Sequence, residues 1–148
     1  MSMEIRRASL DDLDVWGSLR LQLWPDTPAV AHSGEQIAML EAPDRFAVFL
    51  CEDGGRVCGF AEASLRQDHV NGCETAPVAF LEGIFVASES RRRGVAGRLV
   101  AAVEDWAREI GMRELGSDAD LANVVSHAMH SHLGFEETER VVYFRKEL

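Results

Sequence analysis

The sequence predicts a mixed α/β fold in which one sheet carries helices on both faces. Short apolar stretches of strand length alternate with stretches of helical spacing, and the most regular amphipathic helix directly follows the most apolar strand. The predicted order of elements is β-α-α-β-β-β-α-β-α-β. No repeat, low-complexity tract or long linker divides the 148 residues, so we expect a single domain over 1–148.

The N-terminal part of the chain predicts a short strand followed by two helices. The strand covers 4–8, and Ser9-x-x-Asp12 then resembles a helix N-cap with an acidic residue in the first turn. This helix should end at Trp24-Pro25, because the residue before a proline avoids helical backbone geometry. The spacing Ser33-x-x-Gln36 predicts a capping box that opens the second helix.

The middle of the chain predicts three strands. Asp53-Gly54-Gly55 is a typical hairpin turn, and it joins strands at 46–52 and 56–66. A polar loop then leads to 78–86, the most apolar strand, which only Glu82 and Gly83 interrupt.

The C-terminal part predicts two helices and further strands. The helix at 95–110 has one apolar face and should end at Gly111. A short strand at 113–117 leads to a second helix at 123–132. We expect the final strands within 137–146, where apolar residues cluster again.

The charge of the chain restricts its partners. Twenty-five acidic and fifteen basic residues give a net charge of −10, so nucleic acid is a poor partner. The same charge could attract a polycationic ligand, or could simply keep the protein soluble. No apolar run approaches the roughly 20 residues that span a bilayer, and the N-terminus lacks a secretory apolar region. We therefore expect a cytoplasmic protein without membrane association.

The cysteines and histidines predict neither a disulfide framework nor a metal site. Cys51 and Cys58 fall in apolar strands and should lie in the core, whereas Cys73 lies in a loop without an evident base. A histidine group near the C-terminus lacks Cys or carboxylate partners at ligand spacing, so we expect no metal. It consists of His127, His130 and His132.

One segment carries the strongest functional signal. The run Arg-Arg-Arg-Gly-Val-Ala-Gly at 91–97 joins the strand at 78–86 to the helix that follows. Unpaired amides and the dipole at a helix start attract anions, Gly94 permits close backbone approach, and arginines add charge-assisted hydrogen bonds. The pattern indicates a pyrophosphate cradle. A solvated arginine run before a surface helix is the alternative.

This segment resembles the signature of the GNAT acetyltransferases. Arg91-x-x-Gly94-x-Ala96 matches the Q/R-x-x-G-x-G/A pattern of that family, and Asn123 with Leu133-Gly134-Phe135 resembles its second coenzyme segment. The similarity to aminoglycoside 6'-N-acetyltransferases covers nearly the whole chain, most specifically in Gly-Phe-Glu-Glu-Thr-Glu-Arg at 134–140. The resemblance implies the GNAT acetyltransferase fold, a mixed and mostly antiparallel sheet flanked by helices.

The resemblance implies acetyl-CoA as the co-substrate and assigns residues to it. The backbone of Ile84, Phe85 and Val86 would bind the pantetheine, and Asn123 would help to hold the cofactor arm. The pyrophosphate would lie on the arginine loop and the helix start, formed by Arg91, Arg92, Arg93, Gly94, Val95, Ala96 and Gly97.

Three carboxylates are candidates for a polycationic amine site, and the resemblance favours all of them. Glu82 interrupts an apolar strand, so we expect it at a bulge or an open cleft rather than at a solvent-facing edge. Asp118 follows a strand end, where site residues are common, although a turn or N-cap role is nearly as good an explanation. Glu139 has a plain surface charge as its alternative.

Three further residues are expected to border the same cleft. Trp24 would stack on a sugar ring, with core packing at a helix end as the alternative. Thr27 would lie beside it. The family often has Tyr where this chain has His69, whose alternative is an exposed loop position.

The resemblance implies direct, sequential transfer of acetyl to the 6'-amine of an aminoglycoside, and hence antibiotic resistance. The amine arrives protonated, so Glu82 and Asp118 would accept its proton, with water as relay. The amide near Val86 would polarise the thioester carbonyl. Either His130, Tyr143 or no residue would protonate the leaving thiolate.

Other functions and an assembly follow from the same residues. The alternatives are a GNAT enzyme for a polyamine or a peptide N-terminus, and a non-catalytic regulatory module that binds coenzyme A. We expect a homodimer, because Val141-Val142-Tyr143-Phe144 would be an apolar strand with a free edge, unless the chain covers it internally.

Overall fold

The computed structural model describes residues 3–148, which form one five-stranded sheet. The strands are β1 Met3–Arg7, β2 Phe46–Asp53, β3 Arg56–Arg66, β4 Val78–Val86 and β5 Leu115–Ser117. They lie side by side in chain order; β1 to β4 pair antiparallel, and β5 pairs parallel with β4. The predicted mixed, mostly antiparallel sheet is confirmed.

Four α-helices accompany the sheet within residues 3–148. They are α1 Leu13–Leu23, α2 Ala29–Glu41, α3 Val95–Glu109 and α4 Val124–His132. A 3-10 turn at Leu10–Asp12 precedes α1. A second 3-10 turn, at Ser88–Ser90, precedes the arginine loop at 91–94. In this part of the chain no helix is both long and apolar enough to cross a membrane.

The sheet has a separate apolar core on each face, which confirms the predicted helices on both sides. Helix α3 covers one face with its apolar stripe, in which Val95, Leu99, Val103 and Trp106 are all buried. Helices α1 and α2 cover the other face, where the buried residues include Trp16, Leu50 and Phe60. These two cores fix the sheet, including β4 next to the edge strand β5, as a rigid support for the loops at its end.

The start of α2 differs from the prediction. The helix begins at Ala29, directly after Pro28, so Ser33 lies inside the helix rather than at its cap. Proline fixes φ near the helical value and lacks an N–H that would need a partner, which favours it at a helix start. The side chain of Gln36 is buried and donates to the carbonyl of Leu13 at 3.1 Å, which joins α2 to α1.

The predicted C-terminal strands are absent from the described chain. No helix or strand follows α4, and residues 136–148 are exposed. A strand needs a neighbouring edge with which to pair, and β5 is only three residues long. The β-prone composition of 137–146 therefore finds no partner strand within residues 3–148.

Candidate active site

Strand β4 has an open side along the second half of its length. Strand β5 pairs with it only at Ala79–Leu81, whereas β3 pairs with it as far as Val86. Strand β5 ends at Ser117, opposite Leu81, so within residues 3–148 no strand lies beside the rest of β4 on the side that faces away from β3. This edge can receive hydrogen bonds from an extended ligand, as a missing strand would.

The pairing on the β3 side tells which backbone groups face this open side. The amide of Ala87 donates to the carbonyl of Cys58 at 2.8 Å, and ladder groups of an antiparallel pair alternate in direction. The backbone groups of Phe85 are therefore directed to β3. Those of Ile84 and Val86 are directed to the open side. Of the three residues whose backbone was predicted to bind the pantetheine, the alternation therefore favours Ile84 and Val86 over Phe85.

The arginine loop after β4 has the backbone conformation of an anion-binding nest. Arg92 has φ 64° and Gly94 has φ 80°; within residues 3–148 Arg92 is the one non-glycine residue with positive φ. A Cβ at Gly94 would meet no atom within 4 Å, so the space above it is open. The amides that follow Gly94 start α3 and lack helical partners. The loop fits the pyrophosphate of a nucleotide cofactor.

The three arginines of the loop have different partners. Arg91 donates from Nε to the carbonyl of Val86 at 2.9 Å, and Arg93 pairs with Asp53 at the β2–β3 turn at 2.5 Å. The side chain of Arg92 makes no hydrogen bond within residues 3–148 and is exposed. Two arginines thus hold the loop in place, and Arg92 is available to a ligand.

Glu82 lies at a β-bulge, as predicted. Glu62 pairs with Gly83 and Ala63 pairs with Leu81, so Glu82 is the extra residue of β4. The bulge changes the side-chain alternation, because Leu81 and Ile84 both contact the core under α3. It also leaves Glu82 beside the open edge of β4, with about a third of its side chain exposed at 34%.

Glu82 has partners that sequence reasoning missed. Arg66 donates to both of its carboxylate oxygens, from Nε at 2.9 Å and Nη2 at 2.8 Å, and Ser64 donates from Oγ at 2.5 Å. The hydrogen bond to Glu82 is the largest cause that raises the pKa of Arg66, and the charge of Asp118 also contributes. A signal was present in β3: the polar residues of Glu62-x-Ser64-x-Arg66 recur at the strand period of two.

Trp24 lies against β4 next to Glu82. A side chain at Gly83 would clash with the Trp24 ring, so glycine at this position permits the close approach. The indole is half-buried, with the ring of His32 stacked on it at 6.3 Å and Arg20 4.9 Å from its centroid. Thr27 follows on the next turn, and its amide donates to the Trp24 carbonyl at 3.2 Å.

A buried polar network under Trp24 was not predicted. Glu62, 2% exposed, accepts from Trp16 Nε1 at 2.8 Å and from Arg20 Nε at 2.7 Å. Arg20 Nη1 lies 3.0 Å from His32 Nδ1, and His32 Nε2 lies 3.1 Å from the carbonyl of Trp24. Burial raises the pKa of Glu62, which the Arg20 charge opposes. The network connects β3 to the wall of the site.

The remaining predicted substrate residues lie on loops. Asp118 directly follows β5 and is exposed, and its negative charge is one of the causes that raise the pKa of Arg66. His69 and Glu139 are also exposed, and neither side chain makes a hydrogen bond within residues 3–148. Thr138 contacts Gly72, which brings the segment with Glu139 next to the loop with His69. The structure therefore groups Glu82, Asp118 and Trp24 around β4, with the other two at its margin.

Asn123 and the histidines have local partners. The side chain of Asn123 caps α4 by accepting from the Ser126 amide at 3.1 Å. His130 Nε2 lies 2.7 Å from the hydroxyl of Ser117, at the end of β5, and His127 Nε2 lies 2.9 Å from the carbonyl of Asp120. Residues 3–148 contain no group of three potential ligands that could hold a metal ion.

None of the three cysteines has the environment of a nucleophile. Cys51 and Cys58 are buried in the core, as predicted, and burial raises the pKa of the Cys51 thiol to about 11. Burial also raises the pKa of Cys73, and the nearby Glu114 charge adds to the effect. Since the thiolate is the reactive form, these shifts disfavour an acyl-cysteine intermediate.

Comparison with known proteins identifies the family. Residues 16–135 match the acetyltransferase (GNAT) family. The chain is 49% identical to aminoglycoside N(6')-acetyltransferase type 1 of Salmonella typhimurium over 144 residues, 97% of this chain and 99% of that protein. Two solved structures are similar to this chain over nearly the whole length of both proteins. One is AAC(6')-Iy in complex with the bisubstrate analogue CoA-S-monomethyl-acetylneamine, with TM-score 0.95, 47% identity and 100% of both chains. The other is AAC(6')-Ih from Acinetobacter baumannii, with TM-score 0.93, 45% identity and 99% of both chains.

The TM-scores of 0.95 and 0.93 show that the described fold is shared with these two structures. The chain therefore belongs to the GNAT acetyltransferase family, in the group of the aminoglycoside 6'-N-acetyltransferases.

Proposed function

We propose that this chain, as one GNAT domain over 1–148, transfers an acetyl group from acetyl-CoA to the 6'-amine of an aminoglycoside. The observation that carries the proposal is the 49% identity, over 97% of the chain, to an enzyme named for that reaction. The similar structure with a bisubstrate analogue of coenzyme A and acetylneamine supports both substrates. Acetylation removes a positive charge from the antibiotic, so the activity confers resistance.

The cofactor side of the site comprises the open edge of β4 and the start of α3. Ile84 and Val86 offer backbone groups to the pantetheine, with Phe85 between them as the weaker candidate. The pyrophosphate binds on the loop at 91–94 and the amides of Val95, Ala96 and Gly97. Asn123, whose oxygen caps α4, has its side-chain NH₂ group left to donate to the cofactor arm.

The substrate side supplies negative charge to a polycation. Glu82 binds the reacting ammonium group, and Glu82 and Asp118 take up its proton with water as relay, so that the neutral amine can attack. Acetyl-CoA supplies the activated thioester, and the Val86 amide polarises its carbonyl oxygen. Trp24, Thr27, His69 and Glu139 border the antibiotic. His130 and Tyr143 are candidates to protonate the departing thiolate.

The wider setting of the enzyme is also proposed. The reaction requires no metal ion, and a chain with net charge −10 is a poor partner for nucleic acid or an anionic membrane. The enzyme acts in the cytoplasm as a homodimer. The exposed apolar residues of the C-terminal segment support the dimer, because a second copy would cover them.

A coupled assay of thiol release tests the function. We expect turnover with kanamycin and tobramycin, which carry a 6'-amine, and none with analogues that carry a 6'-hydroxyl. Equal turnover of both kinds would contradict the regiochemistry. Preference for a polyamine or a peptide amine would favour the other GNAT activities. Calorimetric binding of acetyl-CoA without turnover of any amine would indicate a regulatory module.

A further inference from the structure

Arg66 forms a salt bridge with Glu82, although the proposed reaction gives it no part. Its guanidinium donates two parallel hydrogen bonds to the carboxylate, at 2.8 and 2.9 Å. Such a bidentate pair fixes direction as well as charge. Arg66 ends β3, and the register places it on the same face of the strand as Ser64, the other donor to Glu82.

The guanidinium is itself held in place by an aromatic ring. Its central carbon lies 3.6 Å from the centroid of the Phe80 ring, and Phe80 is buried at 2% exposure. Stacking of a planar guanidinium on an aromatic face restricts its orientation. The Arg66 side chain is 40% exposed, so the pair lies where solvent and a ligand can reach it. The Phe80 ring thus orients the Arg66 guanidinium, and the guanidinium in turn orients the Glu82 carboxylate at the bulge.

The hydrogen bonds leave one oxygen of Glu82 available. Oε2 accepts from Ser64 Oγ and Arg66 Nε, which uses both of its lone-pair directions. Within residues 3–148, Oε1 accepts only from Arg66 Nη2, and it retains one lone-pair direction. An ammonium group that approaches Glu82 therefore meets an oxygen whose position is set by Arg66 and Ser64.

We propose that Arg66 is a positioning residue for the amine substrate, which fixes Glu82 across the bulge and directs Oε1 to the ammonium group. The inference depends on the proposed function, because it assumes that Glu82 binds the amine.

Kinetics of five variants, including Glu82→Gln alone as a reference, test this role. Arg66→Gln should raise KM for kanamycin at least about tenfold, with a smaller fall in kcat and less than about twofold change in KM for acetyl-CoA. Arg66→Lys keeps the charge but not the bidentate geometry and should recover part of the loss. In a Glu82→Gln background, Arg66→Gln should raise the KM for kanamycin by less than a further factor of about two, because both changes remove the same interaction. Arg108→Gln, on an exposed pair of α3, controls for net charge and should leave both KM values unchanged.

The free protein provides a second measurement that needs no turnover. The Nε–H of Arg66 should give a shifted, slowly exchanging NMR signal that Arg66→Lys removes and Glu82→Gln weakens. The signal should persist when kanamycin saturates the enzyme.

The proposal would be overturned by absence of the protected signal, by loss of that signal on kanamycin binding, or by an Arg66→Gln variant whose KM for kanamycin does not rise. An equal loss from Arg66→Gln with and without Glu82 would do the same. If the wild-type protein acetylates no aminoglycoside, the proposed function fails, and the NMR comparison of Arg66 and Glu82 still decides whether the pair is fixed.

Discussion

At the scale of single residues, conformation decides which side chains serve the site. Arg92 and Gly94 both have positive φ, and this geometry turns successive amides outward. Arg91 and Arg93 lie in the same run, but their side chains donate hydrogen bonds within the protein, to the Val86 carbonyl and the Asp53 carboxylate respectively. Three adjacent arginines that look equivalent in the sequence thus divide into two that hold the loop and one that can meet a ligand.

A comparison of two glycines separates binding from folding. Gly94 and Gly111 have φ 80° and 81°, and a Cβ at either would meet no atom within 4 Å. Alanine at either position should therefore cost about 1 kcal/mol of folding free energy, because L-residues disfavour this backbone region. Only Gly94→Ala should also weaken acetyl-CoA binding, by about tenfold or more, because its Cβ would occupy the space of a phosphate. Calorimetry on both folded variants checks this, and equal acetyl-CoA affinity would refute the assigned phosphate contact.

At the scale of elements, buried polar pairs join helices to the sheet next to the site. Arg20 on α1 pairs with Glu62 on β3 at 2.7 Å and with Glu35 on α2 at 2.9 Å. The two carboxylates differ in environment, because the Glu62 side chain is 3% exposed and that of Glu35 is 54% exposed. A buried charge that loses its partner cannot be solvated, whereas an exposed one can.

The shared arginine makes these two carboxylates a matched pair for mutation. Glu62→Gln should lower the free energy of unfolding by about 3 kcal/mol, because it leaves Arg20 buried without its main counter-ion. Glu35→Gln removes the same charge from the same arginine and should cost less than about 1 kcal/mol. Urea denaturation followed by tryptophan fluorescence measures both, since Trp16 is part of the network. Similar losses in the two variants would show that burial does not set the strength of these pairs.

At the scale of the whole molecule, the C-terminal segment holds a row of apolar residues that the rest of the described chain leaves uncovered. Val142, Tyr143 and Phe144 are 76%, 82% and 92% exposed, although their composition is that of a strand. Exposed apolar residues in a row usually mark a contact with another chain. The proposed homodimer accounts for this segment and for the absence of the predicted final strands.

Light scattering tests the dimer directly. The wild-type mass should be twice 16.4 kDa, and the double variant Val142→Ser and Phe144→Ser should shift the mass towards one chain. Val30→Ser, at an equally exposed valine on α2, serves as the control and should leave the mass unchanged. A wild-type protein that scatters as a monomer at micromolar concentration would refute the dimer, and a double variant with the wild-type mass would refute the role of this segment.

Local patterns were sufficient for most of the fold. The hairpin at Gly54 and Gly55 has the two positive φ values that its turn type requires, 62° and 82°. Helix α1 ends before Trp24-Pro25, and the apolar stripe of α3 is buried, because steric and periodic rules act within a few residues. The bulge at Glu82 was also predictable, since a carboxylate in an apolar strand needs an irregular or open position.

Sequence patterns were thus enough to predict the class of fold, a glycine-containing loop before α3 and, by resemblance, the family. Tertiary structure alone decided the partners: Arg66 with Glu82, Arg93 with Asp53, and Glu62 with Arg20. These pairs join residues 16 to 42 positions apart in the chain, and no local spacing predicts which distant charges meet. The same reason explains the C-terminal error, because a strand forms only where the rest of the fold offers an edge to it.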